Sequence, residues 1–278
     1  MSSRREIVDR LTAAAAPLYG ESEARQIARM ILESRTGTTL TQFVTDPDAE
    51  VEIDDTERIA AEIAAGRPVQ YVLGETEFCG MSFSVGEGVL IPRPETEELV
   101  MRVAATRPNA VLDIGTGSGC IAVSLARMLA GADVWAVDLS AAALEYARQN
   151  AVRIGAAVRF VQADALALPD LGRRFDAVVS NPPYIPRSER ASMRRNVTEY
   201  EPAEALFVDD SEPLLFYRAI ARQAVERLLA DGGRLWFEVH ENFAADVAEL
   251  LAKEGFAEVK IFDDINDKPR IVCGRMTE

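Results

Sequence analysis

From Asn109 onward the chain alternates short apolar runs with amphipathic helical stretches, and few folds accommodate that order. The runs AVLDIG, ADVWAVD, VRFVQAD, FDAVVSNPP and GGRLWFEV are strand-length and rich in Val, Ile, Phe and Ala. Between and after them come SGCIAVSLARMLA, AAALEYARQNAV, LLFYRAIARQAVERLLA and FAADVAELLAKEG, whose apolar residues recur at helical spacing. Strands buried on both faces and separated by crossover helices predict an α/β domain, with a mostly parallel sheet covered by helices on both sides. FAEVKIF and PRIVCGR, joined by the polar loop DDINDK, add two closing strands, the last a candidate for antiparallel pairing.

The first 67 residues follow a different rule. Ile7, Val8, Leu11, Ala24, Ile27, Ala28, Ile31, Leu32, Ile59 and Ile63 keep helical spacing, with breaks at Pro17, Gly20, Gly37 and Gly66. They predict a small helical domain over residues 1–67 that carries no evident chemistry. From Tyr71 to Ile91, residues such as Phe78, Met81, Phe83, Val85 and Val89 approach strand alternation, with Gly80, Gly86 and Gly88 as turn signals. A β-hairpin connector over 68–94 and a catalytic domain over 95–278 complete the expected organisation.

Composition narrows the chemistry. His240 is the single histidine, so a catalytic triad or a His-ligated metal centre has almost no material, and no metal is expected. Cys79, Cys120 and Cys273 lie far apart without CxxC spacing, which fits small buried hydrophobes in a reducing compartment. No uncharged apolar run approaches the roughly 18 residues of a membrane span, and no signal peptide opens the chain, so a cytoplasmic protein without membrane partners is expected. The formal net charge of -15 repels a phosphate backbone and disfavours nucleic acid as a direct partner. Arg187, Arg190, Arg194 and Arg195 form the one basic stretch that would act against this; a solvated loop face is the simpler account of it.

VLDIGTGSG places a buried strand, the carboxylate of Asp113 and then Gly115, Thr116, Gly117, Ser118 and Gly119 before a helix. Glycine lets a backbone pass close to a ligand, but dinucleotide-binding folds use nearly the same device. The next strands end in WAVD and VQAD. Asp138 thus emerges where a ribose diol can be held, and Asp164 with the Ala165 backbone where an adenine edge can be read. A second acidic strand end followed by SNPPY resembles the class I methyltransferases more than the dehydrogenases. Each Asp taken alone would pass for a strand-end or cap carboxylate.

SNPPYIP, residues 180–186, is the most informative string. Asn181 offers an acceptor and a donor at the mouth of the sheet, and Pro182 and Pro183 fix φ and lack N–H, so their carbonyls are rigidly held. An amide or aromatic NH₂ is a poor nucleophile that must be aimed in line with a methyl donor. The Asn181 side-chain oxygen and the Pro182 carbonyl can engage its two N–H bonds and stabilise charge developing on nitrogen. Tyr184 can lie against the flat substrate group and exclude water. Bare NPP is also a common turn, yet it follows an apolar strand about sixty residues after the glycine loop.

DIGTGSG and SNPPYIP stand with PVQYVLGETEFCGMSFSVGEGVLIPRPETEELV and EYEPAEALFVDDSEPLLFYRAI. Together they resemble the peptide chain release factor N5-glutamine methyltransferases of bacteria, the PrmC or HemK family. The resemblance implies a class I S-adenosylmethionine-dependent methyltransferase: a Rossmann-like, mostly parallel seven-stranded sheet behind a helical N-terminal domain. It also implies methylation of the glutamine in the GGQ loop of class 1 peptide chain release factors, with S-adenosylhomocysteine as product. By position, Gly115 to Gly119 would hold the methionine part of the cofactor, Asp138 its ribose and Asp164 with Ala165 its adenine. Asn181, Pro182, Pro183 and Tyr184 would cradle the substrate, with Asn181 also facing the cofactor. The chain departs from the family at Ala165, where an aromatic residue is frequent, and at FEVHEN, where Glu is often followed closely by Gly; His240 reads as a surface or supporting residue. The competing readings are an adenine N6-type DNA or RNA amino-methyltransferase, which must grip phosphates and extrude its base, and a Rossmann-fold oxidoreductase or nucleotide-binding module.

Overall fold

Two hydrophobic patterns in the sequence become two compact units in the computed structural model, which describes residues 2–277. One unit comprises the chain up to Glu75 together with Arg194–Tyr200; the other comprises Thr76–Met193 and the chain from Glu201 on.

In the first unit, α1 (Arg4–Thr36) starts at a reciprocal cap: Ser3 Oγ accepts from the Glu6 amide, and the Glu6 carboxylate accepts from the Ser3 amide. Pro17 is accommodated inside α1, where the sequence suggested a break. Of the two neighbouring breaks expected there, only the one at Gly20 appears, with non-helical φ 75° and ψ 161°. Helices α2 (Leu40–Thr45), α3 (Thr56–Ala64) and α4 (Val69–Leu73) follow. Ile7, Val8, Leu11, Ile27, Ile31 and Leu32 of α1 meet Ile59 and Ile63 of α3 in one core, as their spacing requires. Tyr200 donates to the Ala65 carbonyl at 3.1 Å and Arg194 pairs with Glu23 at 2.7 Å, so a segment far along the chain completes this unit.

The second unit opens with β1 (Glu75–Phe78, its first residue shared with the boundary) and β2 (Met81–Ser84), paired across a turn at Cys79 and Gly80, both at positive φ. The expected strand alternation from Tyr71 is corrected at both ends. Tyr71 is helical, and Val85, Val89 and Ile91 are buried but outside strands, so burial alone produced their pattern.

Then come α5 (Pro94–Ala105), β3 (Ala110–Ile114), α6 (Cys120–Met128), β4 (Asp133–Asp138), α7 (Ala141–Ile154), β5 (Val158–Gln162) and β6 (Phe175–Ser180). The last are α8 (Leu215–Gln223), β7 (Leu229–Glu238), α9 (Ala244–Lys253), β8 (Phe256–Asp263) and β9 (Pro269–Met276). The seven-stranded sheet has the order β8-β9-β7-β6-β3-β4-β5. Strand β9 runs antiparallel to both neighbours; β7, β6, β3, β4 and β5 are parallel. Leu112, Ile114, Val178, Leu235 and Phe237 pack on one face, and Val111, Ala177, Val179 and Trp236 on the other, as a sheet covered on both sides demands. The chain leaves β3 toward β4 on one side and later returns to β6 on the other, so the strand order reverses beside β3. In open α/β sheets ligands bind at that switch point, beyond the carboxyl ends of the strands. No helix among the described residues is long and apolar enough to cross a membrane.

Candidate functional site

The loop after β3 is made almost wholly by backbone. The amides of Gly115 and Thr116 both donate to the Val137 carbonyl of β4, at 2.9 and 3.0 Å, which ties the loop to the neighbouring strand. A Cβ placed on Gly115 or Gly117 would meet nothing within 4 Å, whereas one on Gly119 would lie 3.0 Å from the Ala147 Cβ of α7. The first two glycines therefore leave open space, and the third lets two helices approach. Ser118 offers its carbonyl to Asn150 Nδ2 at 2.9 Å, and the same amide exchanges bonds with the Ser84 backbone, joining the loop to β2.

Beneath the loop lies Asp113, fully buried. Its Oδ2 accepts from Thr116 Oγ1 at 2.6 Å and from the Ala122 amide at 3.2 Å; Oδ1 has no hydrogen-bond partner among the described residues. Burial pushes this carboxyl up to about 7, against the opposing pull of its two donors.

Asp138 sits at the end of β4. Its Oδ2 accepts from the Gly117 amide at 2.8 Å and Oδ1 from the Ser140 amide at 2.9 Å, so it closes the glycine loop while each oxygen keeps a further lone pair. Burial raises its pKa above the usual carboxylate range, opposed by those backbone donors. Asp164 is exposed beyond β5 and caps its own turn by accepting from the Leu166 amide. The Ala165 carbonyl is taken by Gln223 Nε2 at 2.8 Å.

The NPPY segment leaves β6 beside this loop. Ser180 Oγ donates to the Ile114 carbonyl at 2.7 Å, so the strand ends that launch the two loops are bonded directly to each other. Asn181 is half-buried, Pro182 buried, and Pro183 and Tyr184 half-buried. Asn181 Nδ2 donates to Thr96 Oγ1 at 3.4 Å, Thr96 Oγ1 donates to Glu238 Oε2 at 2.6 Å, and Tyr184 Oη donates to Glu238 Oε1 at 3.2 Å. Glu238, fully buried at the end of β7, is raised by burial; the Thr96 bond, the Arg270 charge and the Tyr184 bond oppose that rise. Burial, and then the charge of Glu238, raise the Tyr184 hydroxyl far above its ordinary value. His240 meets the Tyr184 ring edge-on at 6.1 Å and places Nε2 3.3 Å from Glu189, while its Nδ1 accepts from the Asn242 amide. It packs edge-on against the tyrosine ring.

Asn181 and Tyr184 are legible in the sequence; the two residues that join them, Thr96 and Glu238, are not. The signal was present in the strings IPRPETE and FEVHEN, which carried only a family likeness until the fold brought them together. The string EYEPAEAL has a similar use: buried Glu201 accepts from the Ile91 amide at 3.0 Å and from Arg93 at 2.6 Å, fixing the start of α5 and hence Thr96. Within the basic stretch Arg194 pairs with Glu23 and Arg195 with Glu199, while Arg190 lies over the Phe207 ring.

Known proteins share both parts of this chain. The family described as the PrmC N-terminal domain matches residues 4–74, and the methyltransferase domain family matches residues 111–200. The release factor glutamine methyltransferase of Flavobacterium psychrophilum is 39% identical over 269 residues, covering 93% of this chain and 94% of the relative. That of Chlorobaculum tepidum is 42% identical over 266 residues, covering 89% of each. A methyltransferase structure from Pyrococcus furiosus shares the fold with a TM-score of 0.54 at 18% identity, over 72% of this chain and 91% of that one. With relatives this similar along nearly its whole length, the chain belongs to the release factor glutamine methyltransferase family.

Proposed function

We propose that the chain transfers the methyl group of S-adenosylmethionine to the side-chain N5 of the glutamine in the GGQ loop of class 1 peptide chain release factors, leaving S-adenosylhomocysteine. The observation that carries this reading is the pairing, at one switch point, of an open glycine loop with a rigid acceptor loop whose strand ends are bonded through Ser180 and Ile114.

The residues present suit that cofactor. Open space over Gly115 and Gly117 admits an extended ligand, and the unpartnered Oδ1 of buried Asp113 is an acceptor that an ammonium group or its water would satisfy. Asp138 keeps lone pairs for a ribose diol, and exposed Asp164 with the Ala165 amide would meet the adenine. When bound, the cofactor supplies an electrophilic methyl on a cationic sulfur. Asn181 Oδ1 and the Pro182 carbonyl would take the two N–H bonds of the substrate amide and turn its nitrogen lone pair toward that methyl. Pro183 stiffens the loop, and the Tyr184 ring flanks the flat amide. The C–N bond would form as the S–C bond breaks with its electron pair left on sulfur, and the substrate nitrogen, made acidic by methylation, would lose its proton to water without a histidine base.

The helical unit, which has a core of its own and contributes none of these groups, would recognise the folded release factor. The test is incubation with methyl-labelled S-adenosylmethionine and either purified release factor or adenine-containing DNA and RNA, followed by mapping of the label. Label on the GGQ glutamine is expected; label on adenine, or on another residue of the factor, would overturn the reading.

A further inference from the structure

Asn181 can aim a substrate amide only if its own amide points the right way, because its two ends are nearly identical in shape and opposite in polarity. The prolines that follow do not settle this. The backbone can be held rigid while the side-chain amide presents either oxygen or nitrogen to the site.

The surroundings of Thr96 do settle it. A hydroxyl has one proton, and Thr96 gives it to Glu238 Oε2 at 2.6 Å, the short separation of a bond to a charged acceptor. What remains toward Asn181 is a lone pair, which only the NH₂ end can meet. A flipped Asn181 would set its oxygen against that lone pair and leave buried Thr96 with an unmatched acceptor. The same carboxylate receives Tyr184 on its other oxygen, so one buried charge orients both the amide and the ring beside it. Thr96 lies at the start of α5, held by the Arg93–Glu201 pair and by the Ile91 amide on Glu201, and so is anchored independently of the NPPY loop.

We infer that Thr96 and Glu238 are positioning residues for methyl transfer: a relay of hydrogen-bond polarity from the Glu238 carboxylate through the Thr96 hydroxyl fixes Asn181 with its oxygen toward the substrate. This rests on the proposed role of Asn181 as the acceptor of the substrate amide.

The experiment compares single-turnover methylation of a release factor at saturating S-adenosylmethionine, together with cofactor binding by calorimetry, for the full-length chain and its variants. Thr96→Val keeps the shape and removes the relay; it should slow transfer at least tenfold and leave cofactor Kd within twofold. Thr96→Ser restores the hydroxyl and should return the rate to within about threefold of wild type. In the Asn181→Ala background, Thr96→Val should cost little more, because it acts through Asn181. Equal rates for Thr96→Val and wild type, while Asn181→Ala is inactive, would overturn the relay and leave the acceptor role standing. An active Asn181→Ala enzyme would overturn the acceptor role itself. If Thr96→Ser is as slow as Thr96→Val, or if the losses at 96 and 181 multiply, Thr96 supports structure rather than orientation and the inference fails.

Discussion

Each of the two loops at the switch point rests on a buried carboxylate, and the two carboxylates are used in opposite ways. Asp113, under the glycine loop, has one oxygen bonded to the loop and the other without a partner. Glu238, behind the NPPY loop, has both oxygens engaged by hydroxyls of the protein. A buried charge left half satisfied is costly until something fills the vacant position, whereas one fully engaged spends its field on orienting its donors. In the proposed complex the glycine loop would receive a ligand that arrives with complementary charge, and the NPPY loop, whose carboxylate is already engaged, would stabilise the transition state.

The strongest way to break that contrast is Asn181→Ala. It should lower methyl transfer by roughly 10²–10³, the usual cost of losing one preorganised polar contact at a reacting centre. Asn181 is half-buried at a strand end, so the thermal midpoint should barely move. A rate within threefold of wild type would remove the NPPY loop from the mechanism.

Asp138→Ala tests the other loop. It removes a carboxylate that holds the Gly117 amide and, in the proposed complex, the ribose, each charge-assisted bond being worth ~1.5–3 kcal/mol. Kd for S-adenosylmethionine should rise by roughly ten- to a hundred-fold, with the rate at saturation little changed. Unaltered calorimetric binding would show that Asp138 serves the loop alone.

Two glycine replacements sharpen the distinction between open space and close packing. Gly119→Ala forces a Cβ to within 3.0 Å of Ala147 and should cost ~1–3 kcal/mol in urea unfolding. Gly117→Ala meets nothing within 4 Å, so beyond the strain of its positive φ its penalty should appear in cofactor affinity rather than in stability. Reversed results would exchange the roles of the two residues.

A further effect concerns pH. Burial raises Asp113 in the folded chain to about 7, so its favourable contribution is complete below the unfolded carboxylate range and is lost as pH climbs toward 7. Measured without cofactor, the stability of wild type relative to Asp113→Asn should therefore fall between about pH 4 and pH 7 and level off above that. A difference that stays constant, or moves the other way, would mean that the buried carboxylate is relieved by some other group.

The strands, the helices and their parallel order were legible because periodicity and apolar runs are local properties, recorded in the chain wherever an element must be buried. AVLDI, DVWAVD and FDAVVS became neighbouring strands as their composition required. The glycine loop, Asp138, Asp164 and the NPPY segment were likewise visible, each lying at the end of such a strand. Element ends were less so: Pro17 looked like a break, and Leu229 and Ala230, which continue a helical pattern, begin β7. The partnership of Thr96, Asn181, Tyr184 and Glu238 was invisible, since Thr96 and Glu238 stand 142 positions apart. No local pattern marks a hydroxyl whose single proton is already committed. The sequence by itself placed the glycine loop, Asp138 and the NPPY segment at strand ends; the tertiary structure decided which buried residues join them and which way each faces, because hydrogen-bond polarity depends on the neighbour that folding supplies.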